Sequence, residues 1–100
     1  MDIDLDTAGQ IVAFGQDVRA CALGQASAAL LGRDVLGKTG IDLTLVSRGL
    51  AAWLACESDV LPDWPGVDIF TAARDYPARH AAICLPFEAA AAAANGEGIR

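Results

Sequence analysis

Positive charge is scarce in this sequence: seven lysines and arginines stand against thirteen acids, a net charge of −6 with the one histidine neutral. Nucleic-acid affinity comes mainly from Lys and Arg neutralising phosphates, so so few scattered cations exclude a phosphate-binding surface. Long apolar runs are missing too. None approaches the roughly 18–20 residues that a membrane span needs, although 54% of the 100 residues are hydrophobic. The start, Met1-Asp2-Ile3-Asp4, places acids where a secretory leader carries positive charge. Cysteine is sparse and unpaired: Cys21, Cys56 and Cys84 are an odd set without a Cys-x-x-Cys. That pattern gives neither a disulfide framework nor a self-contained tetrahedral zinc site. Catalytic signatures are absent as well, with no Ser-His-Asp pattern, phosphate loop, Gly-x-Gly-x-x-Gly or His-Glu-x-x-His. The expectation is an acidic, soluble, cytoplasmic domain with reduced thiols that is not an enzyme. Its apolar content suffices for one modest core.

What is present has clear periodicity. Asp2, Asp4 and Asp6 alternate with Ile3 and Leu5, the period of two that marks a strand with one wet face. Asp6-Thr7-Ala8-Gly9 is turn chemistry, and Gln10 to Arg19 resumes the alternation with Val12, Phe14 and Val18 on one face. Gly15 interrupts that run and marks a bulge. From Cys21 the period becomes helical, with Leu23, Ser27 and Leu30 in a segment of small residues that Gly32 can stop. Thr39-Gly40-Ile41-Asp42 resembles a capping box, and Leu43, Val46, Leu50, Trp53 and Leu54 continue a second helix to about Cys56. Leu61 to Gly66 reads as an ordered turn and Val67 to Thr71 as a third strand. A last helical region runs through Pro86-Phe87-Glu88 into six alanines, Ala89 to Ala94, and is capped by Asn95-Gly96. A hairpin and third strand with following helices make an α+β fold, an antiparallel sheet packed against helices. Residues 1–100 form one domain, with residues 96–100 a loose tail.

Cys21 is the foremost candidate for chemistry, because it falls where strand periodicity hands over to helix. A thiol at a helix N-terminus sits at the positive end of the macrodipole, which favours thiolate, and Arg19 adds to that field. Thiolate is the form that accepts sulfur or binds metal. The bland alternative, a small buried hydrophobe, describes most free cysteines. It fits Cys56, beside Glu57 and Asp59, and Cys84, among Ile83, Leu85 and Phe87. His80 reads as a surface residue or a ligand without a second donor nearby. The Asp2, Asp4 and Asp6 row reads as a solvated edge before a cation site.

The segment Arg19-Ala20-Cys21-Ala22-Leu23-Gly24-Gln25-Ala26-Ser27-Ala28 resembles the NifU-like, or IscU-type, iron–sulfur cluster assembly scaffolds. The preceding hairpin, ending Phe14-Gly15-Gln16-Asp17-Val18, has the family's shape. Tyr76-Pro77-Ala78-Arg79-His80-Ala81-Ala82-Ile83-Cys84-Leu85-Pro86-Phe87 is similar to the family's Pro-x-Arg segment and closing helix. The likeness runs roughly from Asp2 to Ala93. It implies a SufE/NifU-like α+β fold and a site for a transient iron–sulfur cluster or zinc. It also implies a cysteine desulfurase and acceptor apoproteins as partners.

Under the resemblance Cys21 is the central ligand and sulfur acceptor, with Arg19 and Arg79 in support. The family's first ligand belongs to a Cys-Gly-Asp loop ahead of the first strand, and its third cysteine maps to Ala82. Cys84, two positions later, and His80 are the substitute metal ligands. On a helix two residues turn about 200°, so Cys84 faces away; extended structure keeps it on the same side. Two other readings accompany the scaffold. One is an interaction module that kept the fold without the cofactor. The other is a sulfur-transfer accessory similar to the SufE proteins, which use a single cysteine.

Overall fold

The structure, a computed structural model, describes residues 1–17 and 20–96. The N-terminal alternation forms strands β1 (Asp2–Leu5) and β2 (Ile11–Gly15), an antiparallel pair. Asp6 Oδ1 closes the turn by accepting from the backbone N–H groups of Ala8 and Gln10, both at 2.9 Å. A short acceptor side chain satisfying its own downstream backbone is what makes Asp a turn former. Asp2 pairs with Gly15, Ile3 with Phe14 and Asp4 with Ala13, but Leu5 then pairs with Ile11. The extra residue is therefore Val12, and Gly15, expected as the bulge, stays in register. One inserted residue reverses the alternation beyond it. Val12 is accordingly 56% exposed while Ile11 is buried, and Phe14 and Ile3 lean on the core from the other half of the ladder. Val18, expected on the Phe14 face, and the proposed tail beyond Gly96 lie outside the described residues.

Three helices follow, α1 (Ala22–Asp34), α2 (Gly40–Leu54) and α3 (His80–Ala94). The capping box at α2 is complete: Thr39 Oγ1 accepts from Asp42 N at 3.2 Å, and Asp42 Oδ2 accepts from Thr39 N at 2.9 Å. Leu43, Val46, Leu50, Trp53 and Leu54 face the core as their spacing requires. Arg74 ties down the end of α2. Its Nε donates to the Trp53 carbonyl at 2.8 Å, another guanidinium nitrogen donates to Ser58 at 3.2 Å, and the group lies 5.0 Å above the Trp53 ring.

The third strand expected at Val67–Thr71 is instead the start of a 3-10 segment, Val67–Asp75, and among the described residues the sheet has two strands. Val67, Phe70 and Ala73 recur every third residue and are buried, the stripe that a three-residue turn presents to one side. Before them Trp64 anchors the loop, its indole N–H donating to the Leu30 carbonyl at 2.8 Å and its ring meeting Phe87 edge-on at 5.3 Å.

Helix α3 begins at His80, six residues ahead of Pro86, which lies inside it as the helical reading through Pro86 to Glu88 expects. It packs between α1 and α2 and also touches β1. Ala90, Ala91 and Ala94 are buried there, so the alanine run is core rather than filler. Asn95 closes the helix by donating from Nδ2 to Ala91 O, Gly40 O and Thr44 Oγ1, which also pins it to the start of α2. Proline removes an N–H and crowds the carbonyl four residues back, here that of Ala82. Helix α1 meets this weakened turn. Ser27, fully buried, donates its hydroxyl to the Ile83 carbonyl. Gly24 lies against Ala82, where a Cβ would stand 3.4 Å from the Ala82 oxygen.

Removing the Ser27 hydroxyl removes its bond to the Ile83 carbonyl, at a cost of about 0.5–1.5 kcal/mol. Ser27→Ala should lower the unfolding free energy by that much, read as a lower denaturant midpoint with an unchanged slope. A midpoint equal to the wild type would show that the bond contributes nothing.

Candidate functional site

Cys21 is the N-cap of α1, as the change of period predicts. Its backbone is extended (φ −65°, ψ 171°), its carbonyl accepts from Gln25 N at 2.9 Å, and its side chain makes no capping bond. The thiol is exposed. It opens onto a groove of about 470 Å³ between the end of the hairpin, the start of α1 and one face of α3. Gln16, Asp17 and Ala20 approach from the hairpin side, Gly24 from α1, and Ala82, Leu85, Pro86 and Ala89 from α3; Met1 lies at the rim. Gln16 is held by its side-chain N–H, which donates to the Ala28 carbonyl at 2.9 Å. Gly24 allows the close fit: a Cβ there would stand 4.0 Å from Cys21 Sγ and 2.8 Å from the Ala20 methyl. The residue of α3 that faces this junction is Ala82, the position that the resemblance assigns to a third cysteine.

Cys84 is not brought to the groove, which corrects its assignment as a metal ligand. It is on a helix, two residues past Ala82, and only 5% exposed within the core cluster. Burial, and secondarily the Glu88 carboxylate, push its thiol up to about 11. His80 does not line the groove either; its Nε2 lies 2.8 Å from the Ala73 carbonyl and the ring joins α3 to the 3-10 segment. Arg79 is exposed and stands 5.8 Å over the Tyr76 ring, away from Cys21's groove lining. Arg19 lies outside the described residues. Cys56 is exposed at the end of α2 in the left-handed conformation (φ 59°). Asp2, Asp4 and Asp6 are exposed, with Asp6 occupied by its turn.

The donor set does not fit a closed metal site. Tetrahedral zinc and cluster irons need about four ligands, thiolates and imidazoles above all. The groove offers one thiol, Cys21, and one carboxylate, Asp17, which has a further interaction of its own. Among the described residues no three His, Cys, Asp or Glu side chains gather where they could hold a metal ion. Sequence reasoning found Cys21 but missed the α3 half of the groove, because Leu85, Pro86 and Ala89 share a face with Ala82 only once the helix is started at His80. A helical spacing of three, four and seven from Ala82 was the available signal.

No family model matches the chain, and no curated protein matches it. Among solved structures it is similar to the crystal structure of a nitrogen-fixing NifU-like protein (N-terminal) from Brucella abortus, with 32% sequence identity and a TM-score of 0.83. The match covers 95% of this chain and 66% of that one, so this chain spans just under two thirds of its relative's length. The α+β architecture of an antiparallel ribbon packed against helices is thus shared with that protein. The chain belongs to the NifU-like family. Among the described residues no helix is long and apolar enough to cross a membrane.

Cys84 links stability to pH. Its thiol titrates near 11 folded against 9.0 in its ordinary state, so the stabilisation is whole below pH 9 and is lost as pH rises through 9 to 11. The loss approaches about 2–3 kcal/mol. Denaturant melts at pH 8 and pH 10.5 should show a larger drop for the wild type than for Cys84→Ala, and equal drops would refute the linkage. Alkylation near neutral pH should label Cys21 well before Cys84; peptide mapping that found Cys84 labelled first would contradict its burial.

Proposed function

We propose that this chain serves iron–sulfur cluster assembly as a NifU-like carrier that receives sulfur at Cys21. The observation that supports the reading is the exposed N-cap thiol opening onto an apolar groove in a fold whose relatives are NifU-like. The partners that follow are a cysteine desulfurase, which presents sulfur as a persulfide, and apoproteins that take it onward. The Cys21 thiolate attacks the outer sulfur of the donor persulfide. A new S–S bond forms on Cys21, the donor's S–S bond breaks, and the donor leaves as a thiolate. Electrons balance within the exchange, so no external oxidant or reductant enters. The role is that of a carrier, not a catalyst.

The test is anaerobic incubation with a cysteine desulfurase and free cysteine, followed by intact-mass and peptide mapping. One added sulfur on Cys21, absent from Cys21→Ser, is the expected result. Sulfur appearing on Cys56 instead, or on no cysteine, would defeat the reading.

A further inference from the structure

We infer that sulfane sulfur is the whole cargo of the Cys21 groove, and that the described chain does not itself gather iron or zinc there. This rests on the sulfur-acceptor reading above and narrows it. A mononuclear or cluster metal at Cys21 requires soft donors from the opposite wall. That wall is α3, and it presents the Ala82 methyl and backbone, Leu85, Pro86 and Ala89. The nearest thiol along the helix, Cys84, lies within the core and cannot reach the groove by a change of rotamer, because the helix turns it about 200° from Ala82. His80 is held at the Ala73 carbonyl.

The same wall suits a sulfur carrier. A persulfide adds a single polarisable atom to Cys21, and that atom needs no further ligand, only room beside an apolar wall. The groove supplies both. Leu85, 61% exposed, forms its outer lip, and the small residues Gly24, Ala82 and Ala89 leave its floor open. Chemically the site takes up sulfur by the thiolate-on-persulfide exchange described above, with the donor departing as its thiolate.

The decisive experiment supplies both cargoes at once. The full chain is incubated anaerobically with glutathione persulfide and ferrous iron, then desalted and read by intact mass and by metal analysis. The expected result is one added sulfur on Cys21 and iron no higher than in Cys21→Ser. Iron retained near one equivalent and lost in Cys21→Ser would overturn the inference while leaving sulfur acceptance standing. Neither sulfur nor iron on Cys21 would overturn both. Ala82→Cys, which places a second thiol on the groove wall, should bind zinc at least tenfold more tightly than the wild type in a chelator competition. An unchanged affinity would show that the missing α3 thiolate is not what keeps metal out.

Discussion

The contact between α1 and α3 at Pro86 governs the architecture, because it joins a weakened turn of one helix to Gly24 and Ser27 of the other. Proline deprives the Ala82 carbonyl of its helical donor. Gly24, without a side chain, lets α1 come close enough to lie on that carbonyl, and Ser27 one turn later supplies a hydroxyl to the next carbonyl, that of Ile83. Both accommodations lie on the face of α1 that carries its buried residues, Gly24, Ser27, Ala28, Leu30 and Leu31. The irregularity of α3 and the small residues of α1 are thus two halves of one interface. Cys21 is the cap of the same helix, so its height above α3 follows from this packing rather than from any bond of its own.

The rest of the fold is arranged around α3. Helix α2 reaches it along the Leu43, Val46, Leu50 stripe, and Asn95 fastens the far end by bonding to Gly40 and Thr44. Trp64 links the loop to both sides, since its ring meets Phe87 of α3 while its N–H serves Leu30 of α1. Arg74 performs a comparable task at the end of α2 with two backbone carbonyls and the Trp53 ring. The candidate site lies at one edge of this assembly, where the hairpin ends and α1 begins.

Much of this was legible in the residues. The alternation of Asp2 to Leu5, the capping pair Thr39 and Asp42, and the handover at Cys21 all report local backbone preferences, and those survive folding. What was not legible depended on tertiary choice. Val12 becomes the bulge because burying Ile11 outweighs keeping Val12 on the Phe14 face, a balance that alternation alone does not reveal. Val67, Phe70 and Ala73 fit a three-residue period as well as a short strand, and packing against α2 decides between them. Pro86 lies inside a helix that extends six residues further back, to His80, and periodicity alone did not reveal that start. The thiol half of the site followed from sequence; the α3 half required the helix to be placed first, which in turn moved Cys84 from candidate ligand to core.

The alanines of α3 bear on how cheaply the domain can be ordered. Burying a leucine forfeits about 0.5–1 kcal/mol of rotamer freedom, while alanine has none to lose. A central helix that fills its contacts with Ala90, Ala91 and Ala94 therefore costs little more than its backbone to immobilise, and alanine also has the strongest intrinsic preference for helix. The compensation is that each methyl brings little apolar area, so neighbours must come close to gain from it. Fewer competing side-chain arrangements at the centre should also mean fewer misassembled compact states. The helix that contributes least in bulk is then the one around which the others find a single arrangement.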